Sequence, residues 1–228
     1  MAEKIICVVG PTACGKTKLG VLLAKRYDGE VVSADSMQIY KGMTIGTAAP
    51  TAEEMEGVPH HMIAVADPAE QWSAARYARA AVPIVDDILR RGKRPILVGG
   101  TGLWLDAVVQ GRTFAGGHAG GAVRRELQAQ LAREGIGPLL EELRQVDPEA
   151  AERLHPADEK RILRALEVYR ETGKTISAHN AETRDLQPRY DAVWIGLQFR
   201  DRADMKTLID RRVDAMVAAG LLEEVGQL

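Results

Sequence analysis

An α/β fold, a parallel sheet core with an all-helical domain inserted into it, is what three observations in this chain of 228 residues predict. Short β-branched runs alternate with helix-spaced segments up to residue 98. A glycine loop joins the first run to the first helix. The stretch from Arg124 to Arg170 then keeps helical spacing without any strand. Alternation of strand, helix and strand implies parallel pairing through right-handed crossovers.

Taken in order, Lys4 to Val9 is an apolar run that ends at Gly10 and reads as a buried central strand. Leu19, Val21, Leu22, Leu23 and Ala24 are spaced for a helix over 17–27, which Asp28-Gly29 stops. Glu30 to Ser33 is a second strand, which places Asp35 at its carboxyl end, the edge where open parallel sheets bind ligands. Residues 44–71 are rich in Gly, Pro and Thr and predict loops with one short helix near Ala52 to Glu56, a mobile cover. Ser73 caps a helix that runs to Arg91 and ends at Gly92. A third strand, Arg94 to Val98, runs into Gly99-Gly100-Thr101-Gly102.

The pattern changes near Gly111. Gly116, Gly117, Gly120 and Gly121 form a glycine-rich joint, and three helical stretches follow between Arg124 and Arg170. Ala192 to Leu197 is strand-like again, and Arg202 to Ala219 has the spacing of a strongly amphipathic helix. The expected domains are therefore a core of residues 1–112 with 189–228 and a helical insertion of residues 113–188.

Composition narrows the class. At 46% hydrophobic and 27% charged the chain is an ordinary globular one, and its longest apolar stretches, such as Ile5 to Val9 and Val193 to Leu197, are far too short to span a bilayer. No basic region followed by a signal-type apolar run opens the sequence, so a cytoplasmic location is expected. Cys7 and Cys14 make neither a disulfide framework nor a zinc set. A net charge of −2 gives no global attraction to nucleic acid, so any RNA contact must be local, on the arginine-rich second half.

Gly10-Pro11-Thr12-Ala13-Cys14-Gly15-Lys16-Thr17 fits G-x-x-x-x-G-K-[ST] between a strand and a helix, which makes the core P-loop NTPase-like. Backbone N–H groups and the helix N-terminus cradle phosphate oxygens, Lys16 neutralises charge, and Thr17 is placed to ligate Mg²⁺. A nucleotide hydrolase needs a second carboxylate at the end of a neighbouring strand. Here Ile96-Leu97-Val98 ends in Gly99-Gly100-Thr101, which argues against ordinary ATPase chemistry. Asp35 is the candidate base for an attacking amine or hydroxyl, and Gln38 can read a base edge. The alternative for Asp35 is a turn carboxylate. His60 and His61 are adjacent without a third ligand, so they read as structural or substrate-lining, not as a metal pair. Trp72, Trp104 and Trp194 are expected in core packing.

Five ordered blocks carry a resemblance: the Gly10–Thr17 loop, Asp35-Ser-Met-Gln-Ile-Tyr-Lys-Gly-Met-Thr-Ile-Gly-Thr47, Pro59-His-His61, Val98-Gly-Gly-Thr-Gly102 and Lys160-Arg-Ile-Leu-Arg-Ala-Leu166. Together they resemble the tRNA dimethylallyltransferases, the isopentenylpyrophosphate transferase family. The resemblance implies transfer of a dimethylallyl group from dimethylallyl diphosphate to N6 of the adenine adjacent to the anticodon, with release of diphosphate. It implies Mg²⁺ as cofactor, Asp35 as general base, and donor diphosphate on Gly10, Pro11, Thr12, Ala13, Cys14, Gly15, Lys16 and Thr17. It further implies that Asp35, Ser36, Met37 and Gln38 face the tRNA, as do Lys160, Arg161, Ile162, Leu163 and Arg164, with Thr101 and Arg124 as further contacts. The partners implied are the tRNA anticodon stem-loop and the donor, without a membrane, and the chain is expected to act as a monomer.

Three departures from the family pattern stand out. Cys14 replaces a usual serine, Leu208 occupies a position usually held by arginine, for which Arg211 is the candidate substitute, and family members continue beyond Leu228 as if the core were truncated there. Rival readings are an isopentenyltransferase acting on free adenine nucleotide, a small-molecule kinase and a nucleotide-gated binding module.

Overall fold

A computed structural model describes residues 4–112, 114, 121–184 and 187–228. In chain order the elements are β1 (Lys4–Val9), α1 (Lys16–Arg26), β2 (Gly29–Ser33), α2 (Ala52–Met55), β3 (His60–His61), α3 (Ala74–Arg90), β4 (Arg94–Val98), α4 (Gly102–Val109), α5 (Ala122–Glu134), α6 (Ile136–Val146), α7 (Pro148–Arg153), α8 (Glu159–Thr172), α9 (Ile176–Arg184), β5 (Asp191–Gly196), α10 (Arg202–Ala218) and α11 (Leu221–Gly226). They divide into two compact units, residues 1–111 with 188–228, and residues 112–187. Gly116, Gly117 and Gly120 of the glycine-rich joint lie outside the described residues.

The first unit is built on a parallel five-stranded sheet in the order β3-β2-β4-β1-β5. Strands that are covered on both faces read as continuous apolar runs, and Ile5, Cys7, Val8, Val31, Val32, Ile96 and Leu97 are all buried. Burial pushes the Cys7 thiol up to about 12, so it behaves as a small apolar group and not as a nucleophile. Because β4 lies between β1 and β2, the carboxyl ends of those two strands are separated by one strand width. Gly99, which follows β4, makes this edge tight: a Cβ there would meet the Ala34 carbonyl oxygen at 2.1 Å.

Glu30 is buried near the opposite end of β2 and anchors that side of the sheet. Its Oε2 accepts from Arg91 at 2.9 Å and lies 2.8 Å from His61 Nε2, while Lys93 Nζ is 3.3 Å from its Oε1. A fourth contact joins Arg91 to Oε1. The Arg91 guanidinium foremost, against the opposing effect of burial, holds the Glu30 carboxyl down at about 2.

Five features differ from the sequence expectation. His60 and His61, expected in a loop region, form β3 because two residues suffice to pair with Val31 and Val32. α4 follows the glycine run directly and buries Trp104, which stacks on Tyr77 with centroids 4.2 Å apart. Residues 124–170 hold four helices, not three, because Pro148 begins a short separate one capped by Asp147. Trp194 does not pack in the core: it lies on the edge strand β5 and is 44% exposed. α10 forms as expected, but none of its residues is buried, and its apolar Leu208, Val213 and Val217 all stay exposed.

The second unit packs Leu127, Leu139, Leu140, Leu143, Ile162 and Leu166 from α5, α6 and α8 into one core. Asp147 is buried beside it, accepting from Ala150 N at 3.1 Å and from Ser177 N at 3.1 Å, which joins α7 to α9. No helix among the described residues is long and apolar enough to cross a membrane.

Candidate active site

A cleft of about 470 Å³ opens at the carboxyl ends of β1 and β2 in the first unit. Its floor is the loop from Thr12 to Thr17 and the first turn of α1. Gly15 caps that helix in the left-handed conformation, φ 87°, which costs a side-chain-bearing residue energy that glycine escapes. With the turn so made, the α1 N-terminus presents its unpaired N–H groups toward the loop. Lys16 folds back over it, Nζ donating to the carbonyls of Gly10 at 2.9 Å and Pro11 at 2.7 Å, 4.0 Å from Cys14 Sγ.

Asp35 lines the same cleft from the end of β2. Its Oδ1 accepts the main-chain N–H of Met37 at 2.9 Å and of Gln38 at 3.4 Å, so the turn role weighed from sequence is real and occupies one carboxylate oxygen. No described residue donates to Oδ2. The segment is tied to the neighbouring strand, because Ala34 N donates to Val98 O at 2.8 Å and Ser36 N to Thr101 Oγ1 at 3.1 Å. Thr101 thus supports the Asp35 turn from behind.

Gln38 lines the cleft, but its amide is committed to the protein. Nε2 donates to the carbonyls of Thr47 at 3.4 Å and Ala48 at 3.1 Å, and Oε1 accepts from Ser33 Oγ at 3.0 Å. With both ends of the amide engaged it holds a loop in place, which leaves one lone pair of Oε1 as its remaining capacity toward a base edge. Met37 is exposed.

The remaining walls come from Thr47, Ala48, Ala49 and Glu54, and from Leu208 and Arg212 on α10. Arg211, the substitute considered for the missing arginine at Leu208, does not line the cleft; Arg212 does. The reason is helical periodicity: residues four apart share a face, so the side chain that joins Leu208 is Arg212. The i, i+4 spacing of Leu208 and Arg212 is the sequence signal for this pairing.

His60 Nδ1 is 2.8 Å from the Val58 carbonyl and His61 bonds Glu30, so both serve the sheet. Burial foremost lowers the His60 pKa. Among the described residues no group of three His, Cys, Asp or Glu is arranged to hold a metal ion.

In the second unit, Lys160 and Arg161 are exposed at the start of α8, and Arg161 lies 3.7 Å from Asp158. Arg164 donates to Glu167 Oε2 at 2.8 Å, and Arg124 is 3.7 Å from the same oxygen. Ile162 and Leu163 are buried in the helical core, so their side chains are withdrawn from any RNA, which corrects their assignment as contacts. The helix turns them inward because they fall on its apolar face with Leu166.

Sheet, phosphate loop and cleft define a phosphate-loop enzyme, with Asp35 at the strand end beside the loop. The profile of the IPP transferase family matches residues 38–228, and the chain belongs to that family. Over 230 residues it is 48% identical to a tRNA dimethylallyltransferase of Caldanaerobacter subterraneus subsp. tengcongensis, covering 100% of this chain and 73% of the relative. It is also similar to the crystal structure of the full-length tRNA isopentenylpyrophosphate transferase of Bacillus halodurans, with a TM-score of 0.67, 44% identity, and coverage of 99% of this chain and 70% of that one. A eukaryotic dimethylallyltransferase acting on tRNA is similar at a TM-score of 0.83 and 31% identity, with coverage of 99% of this chain and 56% of that one.

Proposed function

We propose that this enzyme transfers a dimethylallyl group from dimethylallyl diphosphate to N6 of the adenine adjacent to the anticodon of a tRNA, releasing diphosphate. The observation that carries the reading is that Asp35 and the Gly15-Lys16-Thr17 turn line one cleft, with no second carboxylate after β4. The adenine leaves its stack to enter the cleft, as chemistry on a base requires. As N6 forms its bond to C1 of the donor, the C1–oxygen bond breaks and its electron pair goes to the diphosphate. Asp35 takes the proton that N6 sheds. The loop N–H groups, Lys16 and Arg212 hold the charge of the leaving group, which is the term such a reaction most needs.

Mg²⁺ belongs to the proposal. An ion of this kind binds through one or two protein oxygens and completes its shell with phosphate oxygens and water. The Thr17 hydroxyl in the cleft fits that donor set, and the ion would there add positive charge to the departing diphosphate. The helical unit is the proposed grip on the anticodon stem, with Lys160, Arg161, Arg124 and Arg164 positioning phosphates. The enzyme works as a monomer in the cytoplasm.

The test is Mg²⁺-dependent transfer of a labelled dimethylallyl group onto unmodified tRNA that carries an adenine beside the anticodon, with ATP and free AMP as controls. Label in tRNA supports the reading. Label in AMP alone would replace it with a nucleotide prenyltransferase.

A further inference from the structure

One wall of the cleft, Thr47 to Ala49, belongs to a segment without helix or strand, so its position depends on individual hydrogen bonds. Gln38 supplies two of them, to the carbonyls of Thr47 and Ala48. Others are local, to residues 43–45, and those residues are themselves held in part from the far end of the sequence. Glu224 on α11 accepts three consecutive main-chain N–H groups: Oε2 from Thr44 at 2.8 Å and Ile45 at 2.7 Å, and Oε1 from Gly46 at 2.8 Å. Successive N–H groups converging on one anion form a nest, and each bond is charge-assisted. The clamped residues then hold the wall, because Ala48 N donates to Ile45 O and Ala49 N to Thr44 O, each at 2.9 Å.

We propose that Glu224 is a positioning residue for the prenyl donor: by clamping residues 44–46 it fixes the apolar wall of Ala48 and Ala49 against which the five-carbon chain lies. Glu224 itself does not line the cleft, so it acts only through the loop. The inference rests on the donor assignment made above.

The diphosphate end of the donor is held elsewhere, by the Gly10–Thr17 loop and Arg212, and this separates the two functions experimentally. E224Q replaces one acceptor oxygen by an amide that faces N–H donors, and E224D keeps both oxygens on a shorter arm. For E224Q the KM for dimethylallyl diphosphate rises about tenfold, the scale of one lost bond to a charged group, while kcat stays within about twofold. Affinity for inorganic diphosphate stays unchanged, and E224D recovers part of the donor KM. A49L leaves the clamp intact but thickens the wall, and raises the donor KM alone; it decides the matter should E224Q not fold. A wild-type donor KM in E224Q, or in A49L, overturns the proposal. So does a loss of donor and inorganic diphosphate in equal proportion with a fall in melting temperature. A wild-type chain that binds inorganic diphosphate but prenylates no tRNA would instead sink the reading beneath it.

Discussion

Thr101 Oγ1 accepts the main-chain N–H of Ser36 at 3.1 Å and donates to Ser36 Oγ at 3.3 Å, which fastens the residue after Asp35 to the start of α4. Valine has the same shape without the hydroxyl, so T101V leaves the Ser36 N–H without its acceptor, a loss of about 1 kcal/mol. We expect kcat to fall about fivefold with the donor KM unchanged, and T101S to restore it. An unaltered kcat in T101V would mean that Asp35 needs no such support.

Asp35 spends one oxygen on its own turn, so D35N should keep the turn while removing the base. Transfer is expected to fall by about 10²–10⁴, the range for a lost general base, with donor binding retained; D35A is expected to abolish it. Near-normal turnover in D35N would remove Asp35 from the mechanism.

Arg212 lines the cleft and Arg211 does not. R212A is therefore expected to weaken inorganic diphosphate about tenfold or more, as loss of a charge-assisted contact does, whereas R211A leaves it alone. Isothermal titration of both variants decides this, and equal effects would refute the assignment.

The exposed pair Lys160 and Arg161 stands on α8, away from the buried Ile162 and Leu163. Charge reversal at both positions is expected to raise the tRNA KM about tenfold and to flatten its salt dependence by about two phosphate contacts, without changing the donor KM. A salt slope identical to wild type would show that these cations meet no phosphate.

Glu30 links stability to pH. Its folded pKa is about 2, lowered from the ordinary 4.5 first by Arg91, against burial, and then by His61 and Lys93. A depressed carboxylate stabilises the fold above its unfolded pKa and loses that contribution as pH falls toward the folded one. The melting-temperature gap between wild type and E30Q is thus expected to be full near about pH 7 and to shrink between about pH 5 and 2. A gap that persists at about pH 2.5 would contradict it.

Local chemistry made much of this molecule legible. The runs Lys4–Val9 and Arg94–Val98 became β1 and β4 because uninterrupted β-branched and apolar residues suit strands covered on both faces. Ser73 capped α3 as read, accepting from Arg76 N, because a cap is a contact three residues long. The two-residue β3 was not legible, since its pairing to Val31 and Val32 depends on a strand almost thirty positions away and leaves no periodicity. The committed amide of Gln38 was hidden for the same reason: its partners, Thr47 and Ala48, meet it only once the loop has closed.

The sequence by itself determined the phosphate loop, the strand end that carries Asp35 and the family to which both belong, because eight consecutive residues and a strand terminus are short-range features. Only the tertiary structure decided which cation enters the cleft, Arg212 or Arg211, and that Glu224 clamps residues 44–46 from the other end of the chain. Those choices depend on helix phase and on contacts across about 180 positions, which become determinate only when the sheet has brought distant segments together.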